Sequence, residues 1–480
     1  MELNLKKAIV RKGNGNKWLI LGAVGMFTFM STLDGSIVNI AAPSIAHELA
    51  VDMNQIEWIV SIYLLTICIF ILFFGKLGDM YGKVKVFRVG TFIFVFGSLL
   101  CGLSHTLTTL VLSRMVQAFG ASMTMATNYG IITESFPVNE RGKALGTIGS
   151  FVSLGSIAGP GIGGLIVSHL SWEYIFWINV PIGIVTILLG FAVLPKEQLV
   201  PTRKRMDYLG FLLFATFIFF LFGAIFVGQE IGFTKPLIKW MVLIAIGAFV
   251  LLMYAEKKVS FPLIDIRLFM NKAFSLGLIC AVLVFTTNFF YSILMPFYLQ
   301  KSLALPPNLS GLLMMVLPLV MVVLAPISGA LSDKISAELL TFIGLVLIAV
   351  VQLLFVSIDQ ETSLAYFILT AALLGAGVAL FQSPNNSIIM SSVKRSELGI
   401  AGSLNSLARN VGMVMGVALS TTSLYYAMSE KAGYKIKTYI EDQPALFIEG
   451  MHFSYYISSL ICFFAVLLTG YRLYKERKAS

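Results

Sequence analysis

Long apolar segments recur along the whole of this 480-residue sequence, and they constrain its fold more than any other feature. A helix of about 20 residues, rising about 1.5 Å per residue, crosses the roughly 30 Å hydrocarbon layer of a membrane. Fourteen segments of that kind are numbered here in chain order: 18–42, 56–75, 86–104, 107–133, 144–168, 173–194, 208–228, 237–254, 274–298, 309–331, 339–357, 363–390, 399–428 and 452–471. The sequence therefore predicts an all-α membrane protein with fourteen spans.

The connections between these segments are too short to hold a soluble domain. Hydrophobic residues make up 58% of the chain and charged residues only 12%, as expected for a multi-pass membrane protein. All four cysteines lie within apolar segments, and no histidines have metal-ligand spacing. We therefore expect no disulfide framework, no metal site and no cofactor.

The basic residues indicate how the chain is oriented. With the N-terminus inside, 26 of the 34 lysines and arginines fall in inner segments or, for Arg88, at the inner end of a span. Positive charge is enriched in cytoplasmic loops, so both termini are predicted to be cytoplasmic and the location to be the cytoplasmic membrane. Because the net charge of +10 is spread over short loops, it predicts contact with membrane lipids and not with nucleic acid.

Asp34 is the only charged residue between Trp18 and Ala42 in the first span. An ionisable group at this depth is costly and indicates a functional site, although a buried structural acid is the alternative. Arg114 in span four lies at a similar predicted depth, about 12–14 Å below the outer surface at helical rise. We predict that the two pair and control proton binding; a permanent structural ion pair remains the alternative. Gln117, three residues from Arg114, shares its helix face and is predicted to lie on the substrate pathway.

A short motif occurs twice, at equivalent places in the predicted topology. Gly75-Lys76-Leu77-Gly78-Asp79 follows span two, and Gly329-Ala330-Leu331-Ser332-Asp333 follows span ten. Parallel repeats of this kind build a large class of transporters, with the substrate site between the halves. The predicted division is an N-terminal six-helix half (1–200), two linking helices (201–260) and a C-terminal six-helix half (261–480).

The loop after span two has the composition of a conformational latch. Its glycines, including Gly75 and Gly82, permit a tight turn, and Lys83 follows directly. Asp79 can accept hydrogen bonds from a helix N-terminus or pair with a base. We predict a gating role for these four residues; an ordinary charged turn is the alternative.

Span five carries glycines at four-residue intervals, which allow another helix to approach closely. A proline among them removes a backbone donor and is predicted to bend the helix. We predict a gating role for this face as a hinge or seal; plain tight packing is the alternative, and the two are compatible. The residues concerned are Gly155, Gly159, Pro160, Gly163 and Gly164.

Spans twelve and thirteen are rich in amides and contain one arginine. Asn385, Asn386 and Arg409 are predicted to line the substrate pathway. No acid lies within the last six spans, so Arg409 is expected to bond backbone carbonyls or nearby amides. Contact with an anionic substrate group is the alternative.

Several of these motifs together resemble the major facilitator superfamily and, within it, the fourteen-span drug/proton antiporters. The resemblance rests on the loop at 75–83, on Arg114-x-x-Gln117, on the glycine pattern at 155–164, on Leu33-Asp34-x-x-x-Val38-Asn39 and on Asn179-Val180-Pro181-Ile182-Gly183. It implies a major facilitator fold with two additional linking helices. It also implies proton-driven export by alternating access, and a role in antibiotic resistance.

The leading hypothesis is therefore a proton-coupled multidrug efflux transporter, and not an enzyme. Its expected partners are lipophilic small molecules, cationic or neutral, together with protons and lipids, and it is expected to act as a monomer. A same-fold exporter of one metabolite, such as an amino acid, lipid precursor or siderophore, is the alternative. A membrane enzyme or a sensor ranks below both, because the sequence holds no catalytic set of side chains, no phosphate-binding loop and no appended domain.

Overall fold

The computed structural model describes residues 16–51, 53–195, 206–259, 261–434, 436 and 443–479. Within these ranges the regular structure is helical throughout. The α-helices are α1 (Lys17–Leu49), α2 (Met53–Tyr81), α3 (Lys83–Gly102), α4 (Leu107–Ser135), α5 (Arg141–His169), α6 (Tyr174–Trp177), α7 (Asn179–Val193), α8 (Tyr208–Ile231), α9 (Pro236–Glu256), α10 (Lys272–Phe297), α11 (Pro307–Met314), α12 (Val316–Ser332), α13 (Ala337–Val356), α14 (Leu364–Ser391), α15 (Leu398–Ala432) and α16 (Pro444–Ala479).

Each predicted span coincides with a helix, and two spans are divided in two. Span six breaks at Ile178 into α6 and α7, and span ten breaks at Met315 into α11 and α12. Thirteen helical segments of the described chain are long and apolar enough to cross a membrane. The remaining predicted span is α4, which carries many buried polar side chains, among them Arg114, Gln117 and Asn128. Other helices surround those side chains, so α4 does not need the apolar surface of a lipid-facing helix.

The helices before α8 are called here the N-terminal bundle (α1–α7), and those after α9 the C-terminal bundle (α10–α16). Within the bundles α1 packs on α5, α3 on α4, α10 on α15 and α13 on α14. Across the seam between the bundles, α2 and α4 contact α15 while α5 contacts α12 and α14. The helices α8 and α9 pack on each other, and α8 also touches α2 and α15. The division at residues 200 and 260 stays a prediction.

Among the described residues, the two bundles share an apolar core at one end only. That core joins buried side chains of α1–α5 to Ile389, Met390 and buried side chains of α15 between Leu398 and Val414. The other two apolar clusters each stay within one bundle. We call this shared end the inner end; it carries Gly82 and the short 3-10 helices Val138–Glu140 and Arg395–Glu397. The seam is therefore packed shut at the inner end.

Candidate functional site

The structure brings Asp34 and Arg114 into direct contact, as the sequence predicts. Asp34 on α1 is 0% exposed and Arg114 on α4 is 1% exposed. Arg114 Nη1 lies 2.6 Å from Asp34 Oδ2. Two opposite charges buried together lower each other's desolvation penalty, which explains how both remain inside the bundle. Their role in proton binding stays a prediction.

Two amides complete the surroundings of the carboxylate. Gln117 Nε2 and Asn179 Nδ2 each donate a hydrogen bond of 2.8 Å to Asp34 Oδ1. With Arg114, three donors therefore converge on Asp34, the arrangement that an ionised carboxylate requires. Gln117 also donates to Ser98 Oγ at 2.7 Å, so it belongs to this buried cluster. Asn179 is a site residue that was not predicted from the sequence; the break before α7 places it at a helix start.

Two aromatic rings support the guanidinium of Arg114. Its Cζ lies 4.2 Å from the centroid of the Tyr63 ring and 5.5 Å from that of Phe176. Cation–π attraction is strongest where the cation has lost its water, as here. Because aromatic residues are frequent throughout the spans, their pattern could not single out Tyr63. Arg114 is thus held by a carboxylate, an amide and two rings.

The glycines of α5 seat the turn of α1 that carries Asp34. A Cβ at Gly159 would overlap Ser36 Oγ, and one at Gly155 would come within 2.7 Å of the Phe29 carbonyl oxygen. Ser36 Oγ also donates to the Gly155 carbonyl oxygen at 3.1 Å. The missing side chains let the two helices touch, as in other small-residue contacts in membranes. This contact positions the backbone on both sides of Asp34.

The remaining residues of the predicted glycine face have different surroundings. Gly163 is buried, whereas a Cβ added at Gly164 would meet nothing within 4 Å. Pro160 lies within α5, and its side chain is outside the described residues. Close approach to α1 therefore involves Gly155 and Gly159, and it does not extend to Gly164.

Gly159→Ala is expected to lower the thermal stability of the purified protein and its transport rate. The added methyl group overlaps Ser36 and pushes α1 away from α5, at a cost of about 1–3 kcal/mol for overpacking. Gly164→Ala in the same helix is the matched control, because its methyl group enters open space. Equal melting temperatures and equal rates for the two variants would contradict this assignment.

Asp79 caps the N-terminus of α15 across the seam. Its two carboxylate oxygens accept hydrogen bonds from the backbone amides of Gly399, at 2.9 Å, and Ile400, at 3.0 Å. A negative charge is stabilised at a helix N-terminus by the unpaired amides and by the helix dipole. The predicted hydrogen bonding of Asp79 to a helix N-terminus is thus present, and it links the two bundles at the inner end.

The second copy of the motif makes the same contact in the reverse direction. Asp333, directly after α12, accepts from the amides of Gly142, at 2.8 Å, and Lys143, at 3.0 Å, in the first turn of α5. The C-terminal bundle therefore caps a helix of the N-terminal bundle, while Asp79 caps a helix of the C-terminal one. We call these two contacts the paired latches.

Glycine permits both latches to form, and a lysine joins the first. A Cβ at Gly75 would overlap Ser403 Oγ on α15. Gly82 has a φ of 102°, a conformation that favours glycine, and it places Lys83 at the start of α3. Lys83 Nζ lies 3.0 Å from both Asp79 Oδ1 and Glu134 Oε1. The four predicted gating residues therefore lie together at the inner end. The predicted loop is shorter than expected, because Gly75 and Asp79 lie in the last turns of α2 and the chain turns only at Gly82.

Of the residues predicted in the C-terminal bundle, the two asparagines form hydrogen bonds within that bundle. Asn385 Nδ2 donates to the Gly277 carbonyl oxygen at 3.0 Å, and Asn405 Nδ2 donates to Asn386 Oδ1 at 2.9 Å. Arg409 differs: its Nε is buried without a hydrogen-bond partner among the described residues. The expected bonds from Arg409 to carbonyls or amides are not formed there.

The comparison with protein families decides the class of the protein. The profile described as Major Facilitator Superfamily matches residues 24–417 and 277–480. The chain belongs to this superfamily. Its members are membrane transporters, and the chain is accordingly a multi-pass membrane protein. The fourteen-span subtype goes beyond this match.

Similar proteins include transporters of two kinds. The riboflavin transporter RibZ of Clostridioides difficile is 38% identical over 463 residues, covering 96% of this chain and 99% of that protein. The multidrug resistance protein Stp of Mycobacterium tuberculosis is 29% identical, covering 85% of this chain and 75% of that protein. Among solved structures, the human organic anion transporter MFSD10 matches with a TM-score of 0.64 at 14% identity, covering 94% of this chain and 99% of that one, which shows the shared fold alone.

Proposed function

We propose that this superfamily member is a proton-coupled antiporter that exports organic solutes by alternating access. The observation that carries the proposal is the Asp34 side chain, which is fully buried and in direct contact with the guanidinium of Arg114. A buried acid in a membrane helix is expensive unless it has a function such as proton transfer. The proposed location is the cytoplasmic membrane, with both termini cytoplasmic, in the fourteen-span arrangement of two six-helix halves and two linking helices.

In the proposed cycle, proton binding changes how strongly the cluster holds together. As a carboxylate, Asp34 accepts from three donors, and a proton on it would remove both its charge and one acceptor site. Arg114 would then lose its counter-charge and keep only its ring and amide contacts. Because the cluster joins α1, α4 and α7, the change alters packing among three helices of one bundle. This is the proposed link between the proton and helix movement.

The paired latches are the proposed inner gate. Each latch ties a carboxylate of one bundle to backbone amides of the other, so both must break before the inner end can open. Two latches of the same chemistry, related by the internal repeat, suit a rocking motion of one bundle against the other. Gln117, Asn385, Asn386 and Arg409 keep their proposed place on the substrate pathway.

Multidrug export is the leading candidate, and it is supported by Stp and by the multidrug export protein EmrB of Haemophilus influenzae, 28% identical over 410 residues. The second candidate is transport of one metabolite. The higher identity to RibZ over nearly the whole of both chains favours this candidate, with a flavin-like solute as the first compound to test.

Exchange in proteoliposomes tests the proposal. Purified protein is reconstituted, a pH difference is imposed, and movement of riboflavin and of several chemically unrelated drugs is followed together with proton flux. We expect solute accumulation that requires the pH difference and collapses with a protonophore. Accumulation of many unrelated compounds supports multidrug export, and accumulation of riboflavin alone supports the metabolite candidate. Transport indifferent to the pH difference would refute proton coupling.

A further inference from the structure

Arg409 faces the seam between the bundles. Gly402, two helical turns before it on α15, lies on the same face, and a Cβ there would come within 3.2 Å of Tyr129 Cβ on α4. Asn405, one turn before Arg409, bonds Asn386 on α14. The face of α15 that carries Arg409 therefore lies between a helix of the N-terminal bundle and one of the C-terminal bundle. Arg409 itself is partly exposed, so solute in the seam can reach it.

The charge of Arg409 is not balanced by the described part of the protein. No ion pair or hydrogen bond to it is formed there, and its Nε is buried without a partner. The predicted spans of the C-terminal bundle contain no acid, and Asp34 is already engaged by Arg114. A guanidinium has five N–H donors; leaving the buried Nε–H unpaired costs free energy, and the other donors of Arg409 are open to a ligand. Such a group is stabilised when a ligand supplies acceptors.

We propose that Arg409 is the residue that sets substrate class: it binds a carbonyl, carboxylate or phosphate oxygen of the solute and repels organic cations. An arginine fork matches paired oxygen acceptors, and a second positive charge brought beside it without an acid is unfavourable. The proposal rests on the function proposed above. It narrows the expected solutes from cationic or neutral compounds to acceptor-rich neutral or anionic ones.

Binding to the purified full-length protein in detergent, without a pH difference, tests the proposal. The probes are three planar fluorescent compounds: riboflavin, which is neutral and rich in carbonyls, flavin mononucleotide, which adds a phosphate, and the cation ethidium. We expect riboflavin or flavin mononucleotide to bind at least about tenfold more tightly than ethidium. Which flavin binds better tells whether a carbonyl or a phosphate oxygen is preferred. Tighter binding of ethidium, or no saturable flavin binding, would overturn the proposal.

Variants assign the preference to Arg409. Arg409→Gln should weaken flavin binding about tenfold or more, Arg409→Lys should weaken it less, and Arg409→Glu should favour ethidium. Lys431→Gln is the matched control, because it removes a cation from the exposed end of the same helix. Size-exclusion profiles and melting temperatures identify any misfolded variant, and Arg409→Lys retains the charge if the others fail to fold. Unchanged probe preference in folded Arg409→Gln and Arg409→Glu would refute the assignment.

The outcomes keep this inference separate from the proposed function. If the protein binds flavins through Arg409 but exchanges no protons in liposomes, the inference stands and the proposed function is refuted. If it exports ethidium against a gradient and the rate is unchanged in Arg409→Gln, proton coupling stands and the inference is refuted.

Discussion

Asp34→Asn is expected to abolish solute accumulation driven by a pH difference, because it removes the proposed proton-binding group from the membrane interior. Asparagine has the shape of aspartate but cannot exchange a proton at neutral pH. Exchange of labelled for unlabelled solute, without a pH difference, should persist, because the seam and the latches are unaffected. The two assays are run on the same proteoliposomes.

A matched control and a double variant complete this experiment. Glu48→Gln removes a carboxylate from the exposed outer part of the same helix and should transport like the unaltered protein. Asp34→Asn leaves Arg114 with its ring and amide contacts but no counter-charge, and breaking a buried pair from one side costs about 3–5 kcal/mol. Adding Arg114→Gln should restore thermal stability without restoring coupling. Accumulation against a gradient by Asp34→Asn would show that the proton binds elsewhere.

Removing the latch carboxylates is expected to slow turnover far more than it weakens solute binding. Hydrogen bonds to a charged group contribute about 1.5–3 kcal/mol, so losing one latch shifts the equilibrium between inner-closed and inner-open forms by about 10- to 100-fold. Asp79→Asn and Asp333→Asn should each reduce the exchange rate. Because the latches are related by the internal repeat, the two substitutions should have effects of similar size.

The double variant Asp79→Asn/Asp333→Asn tests whether the latches work as one gate. If both must break for the inner end to open, the double variant should favour the inner-open form more than either single one. Reaction of a thiol reagent with a cysteine placed at Ser403, which packs against Gly75 in the closed seam, measures that opening. Asp359→Asn, at an exposed loop of the other end, is the control. A loss of solute affinity as large as the loss of rate would argue against a gate.

The positions of the spans and the pairing of Asp34 with Arg114 could be predicted from the sequence. Helical rise converts residue number into depth, so two isolated charges at equal depth could be matched before any packing was known. The role of Asp79 as a hydrogen-bond acceptor could also be predicted, because it depends on the residue's own carboxylate and on its place in the motif. The repeat at Asp333 was visible as a pattern, but the helix that it caps was not.

Other parts of the site depend on which helices become neighbours. Asn179 and Tyr63 reach the Asp34 cluster from α7 and α2, and neither has a sequence pattern that separates it from other amides and aromatics in the spans. Arg409 shows the same dependence. Within the described part of the chain it forms none of the expected bonds. Two of the amides expected to meet it, Asn385 and Asn386, bond Gly277 and Asn405 instead.

The sequence by itself determined the membrane-spanning segments, the depth of the buried charges and the duplicated latch motif. These properties depend on transfer of side chains into lipid and on the rise of a single helix, both of which act along the chain. Tertiary structure alone decided the three donors at Asp34, the helix that each latch caps and the lack of a partner for Arg409 Nε among the described residues. Contacts of this kind depend on the rotation and spacing of helices far apart in the chain, which are set when their small-residue faces and buried polar groups pack together.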